Sequence, residues 1–154
     1  MTLVNFLIGL PAMLLCLIVQ TAVAFWSVRY YVRHSPQVGS GQGFLAGMRP
    51  LIVATLAMLV GTMAQVVLGG GLFLWLGEFE QAHDAIYHSA VNFSSLGYGD
   101  IVMSRERRLL GPLEAVNGVL MLGMSAATLM AIVQHMVTQL GAALPSEVDG
   151  GRMP

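Results

Sequence analysis

The sequence contains no lysine, a single cysteine and few charged residues, which make up 10 % of its 154 positions. An ordinary soluble domain has roughly 25 % charged residues, so this composition argues against a soluble enzyme. With seven arginines, eight acidic residues and a net charge of −1, no basic face is available to bind a nucleic-acid backbone. The lone Cys16 excludes an intramolecular disulfide and a zinc thiolate cluster. No nucleophile stands with a base and an orienting residue, so neither an enzyme nor a cofactor site is expected.

Three long apolar runs dominate the chain, and 56 % of its residues are hydrophobic. They cover residues 3–28, 51–76 and 113–140. The first has about 26 residues and would reach roughly 39 Å as a helix, more than the ~30 Å core of a bilayer. A cleavable signal is the alternative for this run, because Ala22, Val23 and Ala24 match a cleavage site, but no positive charge precedes it. The pattern predicts an all-α integral membrane protein with three spanning helices.

The remaining segments indicate how the spans are connected. Residues 35–49 are rich in Gly, Ser, Pro and Gln and predict a flexible cytoplasmic linker after the first span, residues 1–34. Pro50 is expected in the first turn of the second span, residues 50–77. Residues 142–154 predict a disordered cytoplasmic tail. Three spans then leave the N-terminus outside the cell and the C-terminus inside.

A stretch between the second and third spans is too short to cross. Asp84 is predicted to cap a helix that continues to residue 93, and this helix must enter and leave on one side of the membrane. Residues 94–100 follow as Ser-Ser-Leu-Gly-Tyr-Gly-Asp. Irregular backbone at membrane depth is tolerated only where it is buried in protein or lines a wet pathway, so this loop should line a pathway.

This loop resembles the selectivity filter of tetrameric potassium channels, which reads Thr-Thr-Val-Gly-Tyr-Gly-Asp. Gly97, Tyr98, Gly99 and Asp100 match, while Ser94, Ser95 and Leu96 complete the segment. The resemblance covers residues 50–141. It implies an outer helix at 50–77, a pore helix at 84–93, the filter at 94–100 and a pore-lining inner helix at 112–140.

The resemblance also implies the activity. A filter of this kind replaces the water shell of K⁺ by backbone carbonyls. Here these would be the carbonyls of Ser95, Leu96, Gly97 and Tyr98, and Gly99 would complete the filter. Because the chain has one such segment and no internal repeat, a closed ring needs a homotetramer. The expected partners are K⁺, membrane lipid and copies of the same chain. No cofactor besides the permeant ion is expected. The expected location is the inner cell membrane of a bacterium.

Three departures from the family pattern concern selectivity and the support of the filter. Ser95 replaces threonine and Leu96 replaces a β-branched residue, so a weakly selective cation channel is an alternative. Val91 stands where many members carry a glutamate. We therefore expect the Tyr87 hydroxyl or the His88 imidazole to hold Asp100 or Tyr98, and a histidine there could sense protons, although neutral packing of His88 is also open. A non-conducting channel-like subunit is the alternative from another functional class.

No span carries arginines at every third position, so no voltage-sensing helix is expected. Gating would then reside in the filter or in bending of the inner helix. Gly118 and Gly123 are the candidate hinge residues, because glycine weakens a helix by about 1 kcal/mol relative to alanine. Close packing against the pore helix is the alternative role for either glycine.

Overall fold

The computed structural model describes residues 2–35 and 44–143, with side chains at 2–35 and 48–139. All regular structure in these residues is helical. In chain order the helices are α1 (Thr2–His34), α2 (Phe44–Trp75), α3 (Ala82–Phe93) and α4 (Leu110–Ala143). Three stretches are long and apolar enough to cross a membrane: Thr2–His34, Met48–Trp75 and Leu110–Gln139. The prediction of an all-α membrane protein with three spanning helices is confirmed.

Helices α2 and α3 begin earlier than the sequence pattern predicts. Helix α2 starts at Phe44, so Pro50 lies inside it and not in its first turn. A proline removes only one backbone hydrogen bond, and membrane helices tolerate that loss. Helix α3 starts at Ala82, with Gln81 at its N-cap and no side-chain capping bond. Asp84 is therefore not the cap; it lies in the first turn, where its charge faces the positive end of the helix dipole.

Helix α4 also exceeds its predicted length at both ends. It begins at Leu110 and continues to Ala143, so residues 142 and 143 of the predicted tail are helical. Residues 36–43 of the predicted linker and residues 144–154 of the predicted tail lie outside the described residues.

Helix α1 packs against both α2 and α4 along the molecule, whereas α2 and α4 contact each other much less. Small residues allow this approach. A side chain at Gly61 of α2 would lie 3.2 Å from the methyl groups of Val23, and one at Gly9 of α1 would lie 2.7 Å from Leu113. Helix α1 is thus an integral part of the packed subunit.

A polar network joins these three helices within the membrane. Gln65 on α2 donates a hydrogen bond to Gln20 on α1 at 2.6 Å, and Gln20 donates to Ser125 on α4 at 2.6 Å. Gln20 and Gln65 are both fully buried. Hydrogen bonds between membrane helices average about 0.6 kcal/mol and reach about 1.7 kcal/mol, so the network fixes α1 against the other two helices.

The two ends of α1 contact opposite ends of the rest of the subunit. Near its start, Asn5 donates a hydrogen bond to the carbonyl of Glu106, in the loop after the filter-like segment, at 2.8 Å. Near its end, the buried Tyr31 packs with Ala54 and Ile132. This arrangement places the N-terminus of α1 on the same side as the irregular loop, as the predicted topology requires.

Candidate functional site

The backbone of residues 95–99 alternates in handedness. Ser95, Gly97 and Gly99 have positive φ angles of 60°, 55° and 72°, whereas Leu96 and Tyr98 between them do not. In an extended strand successive carbonyls point to opposite sides, but alternating left- and right-handed residues turn successive peptide groups the same way. The segment can therefore present a row of carbonyl oxygens on one side. A positive φ costs a non-glycine residue energy, so Ser95 is held in this conformation by its surroundings.

The start of the loop is attached to the C-terminal end of α3. The amide of Ser95 donates to the carbonyl of Asn92 at 2.8 Å, and the amide of Leu96 donates to the carbonyl of Val91 at 3.0 Å. The hydroxyl of Ser94 donates to the carbonyl of Ala90 at 2.7 Å. These bonds satisfy carbonyls that the helix end leaves free and fix the direction in which the loop leaves α3.

The end of the loop is held by Tyr87, whose hydroxyl donates a hydrogen bond to Asp100 Oδ2 at 2.7 Å. This bond lowers the pKa of the Asp100 carboxyl below its usual range and raises the pKa of the Tyr87 phenol. Tyr87 thus makes the contact to Asp100 that the apolar Val91 cannot make. Of the contacts expected from the sequence, Tyr87 to Asp100 is present.

His88 supports the same loop through a different partner. Its Nδ1 donates to the carbonyl of Ile101 at 2.8 Å, and Asn92 donates to its Nε2 at 2.8 Å. A carbonyl only accepts, so Nδ1 carries a proton, and Nε2 is the acceptor for Asn92. The imidazole is buried and packs edge-on against Phe73. The expected bond from His88 to Asp100 or Tyr98 is absent.

The two candidate hinge glycines have different surroundings. A side chain at Gly118 would overlap the carbonyl oxygen of Phe93 and lie 2.7 Å from its carbonyl carbon. Helix α4 therefore contacts the last residue of α3, backbone to backbone, at this position. A side chain at Gly123 would meet no atom within 4 Å. Gly118 therefore packs closely against α3, which is the alternative role considered for the two glycines. Of the two, only Gly123 lacks such a contact within the subunit.

A single subunit leaves the loop and one face of α4 uncovered. Leu96 is 58 % exposed and Tyr98 is 67 % exposed. An apolar stripe along α4 is also exposed. Each of its residues has more than half of its own surface accessible: Val116, Val119, Leu120, Leu122 and Met130. One copy does not enclose a pathway, but these surfaces are available to line one or to contact further copies.

Two contacts around the loop were not predicted from the sequence. Glu78 accepts hydrogen bonds from the amide and hydroxyl of Ser104 at 2.8 and 3.0 Å and lies 3.5 Å from Arg107, joining the end of α2 to the segment after the loop. Ser89 of α3 lies 2.6 Å from Glu114 of α4. The only signal for the second contact was an isolated acid in an apolar span, a feature often linked to function.

A family model described as an ion channel matches residues 52–135, more than half of the chain, and this region contains α3, the irregular loop and most of α2 and α4. No curated protein and no solved structure matches the chain. The chain belongs to the ion channel family.

Proposed function

We propose that four copies of this chain assemble around a central axis and conduct K⁺ passively across the inner cell membrane. The ion would be coordinated by the carbonyls of Ser95, Leu96, Gly97 and Tyr98 from each copy. The observation that carries the proposal is the alternation of positive φ along residues 95–99, which turns successive carbonyls to one side. Such a row replaces the hydration shell of a permeating cation when four chains supply it.

The exposed surfaces support the tetramer. Tyr98 is two-thirds exposed beside a buried pore helix, and the apolar stripe of α4 has no cover within the subunit. A neighbouring copy would cover Tyr98, and the stripe would face the pathway and the adjacent α4. A particle mass four times that of the 16.4 kDa chain is expected in detergent. A stable monomer or dimer would contradict the proposal, since one copy supplies only one strand of a filter.

Weak selectivity among cations is the second candidate, and Leu96 favours it. Its side chain is more than half exposed, so within the subunit it does not stiffen the strand from behind. Replacing Ser95 by threonine and Leu96 by valine would restore the family pattern. If the wild-type filter is loose, this double variant should raise the K⁺ over Na⁺ permeability ratio; if it is strict, the ratio should stay the same.

Ion flux from liposomes tests conduction directly. Protein reconstituted in K⁺-loaded vesicles should release K⁺ quickly, and Gly99→Ala should abolish the release because alanine is strained at a φ of 72°. Gly77→Ala is the matched control, since Gly77 has the same φ but lies at the end of α2. Equal flux from the two alanine variants would contradict the role assigned to the loop.

A further inference from the structure

Two adjacent glycines of α2 allow α3 and α4 to approach it closely. A side chain at Gly70 would lie 2.8 Å from the Cα atom of Ile86 on α3. One at Gly69 would lie 2.7 Å from Ser89 Oγ of α3 and would overlap Glu114 Oε1 of α4. Small residues permit such an approach between membrane helices. A hydroxyl from α3 and a carboxyl from α4 therefore meet on the surface of α2.

The Ser89 hydroxyl lies between two oxygen atoms. Ser89 is completely buried, and its Oγ is 2.8 Å from the carbonyl oxygen of Val66 and 2.6 Å from Glu114 Oε1. A hydroxyl has one proton and a carbonyl has none. Both contacts are therefore hydrogen bonds when Ser89 donates to Val66 and a protonated Glu114 donates to Ser89. Two consecutive bonds then join α4 through α3 to α2.

The described side chains around the carboxyl supply no compensating charge. Gly69 faces it from α2, and the neutral Ser89 and Asn92 face it from α3. The titratable group that faces it from α1 is the thiol of Cys16. The second carboxyl oxygen, Oε2, is buried without a hydrogen-bond partner. Since an unpaired charge inside a membrane span is costly, these surroundings favour the neutral acid.

The part of α3 that Glu114 contacts is also the part to which the filter-like loop is attached. The carbonyls of Val91 and Asn92, two and three residues after Ser89, accept hydrogen bonds from amides of the loop. All three residues belong to the same short helix. A displacement of α3 at Ser89 would therefore displace the carbonyls that hold the loop.

We infer that Glu114 is a positioning residue for the loop and that it acts as a neutral acid. In this form it joins α4 to α3 and, through Ser89, to α2. When Glu114 ionises, one hydroxyl proton is left for two acceptors, so one of the two bonds is lost and an unpaired charge enters the contact. The ionised form should loosen α3 and the loop attached to it. Only the effect on conduction rests on the proposed function.

Infrared spectroscopy of the reconstituted full chain tests the protonation state. A protonated carboxyl has a C=O stretching band that a carboxylate lacks, and ordinary surface acids are ionised at neutral pH. At neutral pH, wild type should show this band and Glu114→Gln should lack it. Glu80→Gln is the matched control, because Glu80 is exposed and its replacement should leave the band unchanged. Absence of the band from wild type would overturn the inference.

The pH profile separates this role from simple packing. As the band is lost with rising pH, the melting temperature and the K⁺ flux of wild type should fall. Glu114→Gln keeps a donor to Ser89 and cannot ionise, so each of its values should stay at its own neutral-pH level. Cys16→Ala should respond as wild type does, because the thiol is not the group that acts. Equal alkaline losses in wild type and Glu114→Gln, or an unchanged wild type after the band has gone, would contradict the inference.

Removal of either partner tests the contact itself. Glu114→Leu and Ser89→Ala should each lower the melting temperature, and the double variant should lower it by less than the sum, because both substitutions break the same contact. Strict additivity would contradict the contact. The infrared band and the melting temperature do not require conduction, so K⁺ flux from the same vesicles distinguishes failure here from failure of the proposed channel activity.

Discussion

Substitution of Gly118 by alanine tests the contact between α4 and the C-terminal end of α3. The new methyl group would lie 2.7 Å and 3.0 Å from two backbone carbons of Phe93, where ordinary contacts begin at 3.4 Å. Both partners are backbone, so no side-chain rotation relieves the overlap, and α4 must move away by at least 0.7 Å. Overpacking typically costs about 1–3 kcal/mol.

Alanine also offsets part of this cost, because it favours the helix by about 1 kcal/mol over glycine. The expected net loss is about 0–2 kcal/mol per subunit, which corresponds to a melting temperature lower by up to roughly 8 °C. Thermal unfolding followed by size-exclusion chromatography with fluorescence detection would measure the shift. The same substitution should also disturb conduction, since Phe93 immediately precedes the filter-like loop.

Gly123→Ala is the matched control on the same helix. No atom lies within 4 Å of its added methyl group, so the melting temperature should stay the same or rise. If Gly123 is the bend at which α4 opens, its variant should fold normally but open less often in single-channel records. A Gly118→Ala protein at least as stable as Gly123→Ala would refute the packing argument.

Three further predictions concern the support of the loop and the attachment of α1. Tyr87→Phe removes the bond to Asp100 and should lower the K⁺ over Na⁺ permeability ratio in bilayer recordings. His88→Ala removes the bonds to the carbonyl of Ile101 and to Asn92 and should reduce the current in the same recordings. Gln20→Leu removes the hydrogen bonds to Gln65 and Ser125 and should destabilise the protein by about 1–2 kcal/mol, measured as a lower melting temperature.

Each of these predictions has a control. Asp100 has a pKa below its usual range, so its carboxylate keeps the bond from Tyr87 at neutral pH and loses it only in stronger acid; wild type and Tyr87→Phe should therefore be compared at neutral pH. Equal currents in wild type and His88→Ala would contradict the support of the loop by His88. For Gln20 the control is Thr21→Val, because Thr21 bonds only to the carbonyl of Leu17 in its own helix. An equal effect of both substitutions would contradict the network.

The sequence was sufficient for the number and type of helices. Length and hydropathy decide whether a helix can span, and three apolar runs of the required length were visible. Helix ends were less predictable. Asp84 is a good capping residue by type, yet α3 starts two residues earlier without any side-chain cap, so local preference did not decide the boundary.

Contacts between distant parts of the chain could not be predicted from the sequence. Gln20 is hydrogen-bonded to Gln65 and Ser125, which lie 45 and 105 positions from it in the sequence. No periodicity of the sequence encodes such a pairing. The bond between Tyr87 and Asp100 spans only 13 positions and was among the expected contacts. The different surroundings of Gly118 and Gly123 likewise depend on how α3 and α4 are packed together.

The most direct test of the central claim is the reversal potential of the purified protein in a planar bilayer with K⁺ on one side and Na⁺ on the other. If the carbonyls of residues 95–98 form a K⁺ filter, the current should reverse close to the equilibrium potential for K⁺. A current that reverses near zero would contradict K⁺ selectivity and would support the loosely selective cation pathway that Ser95 and Leu96 suggest.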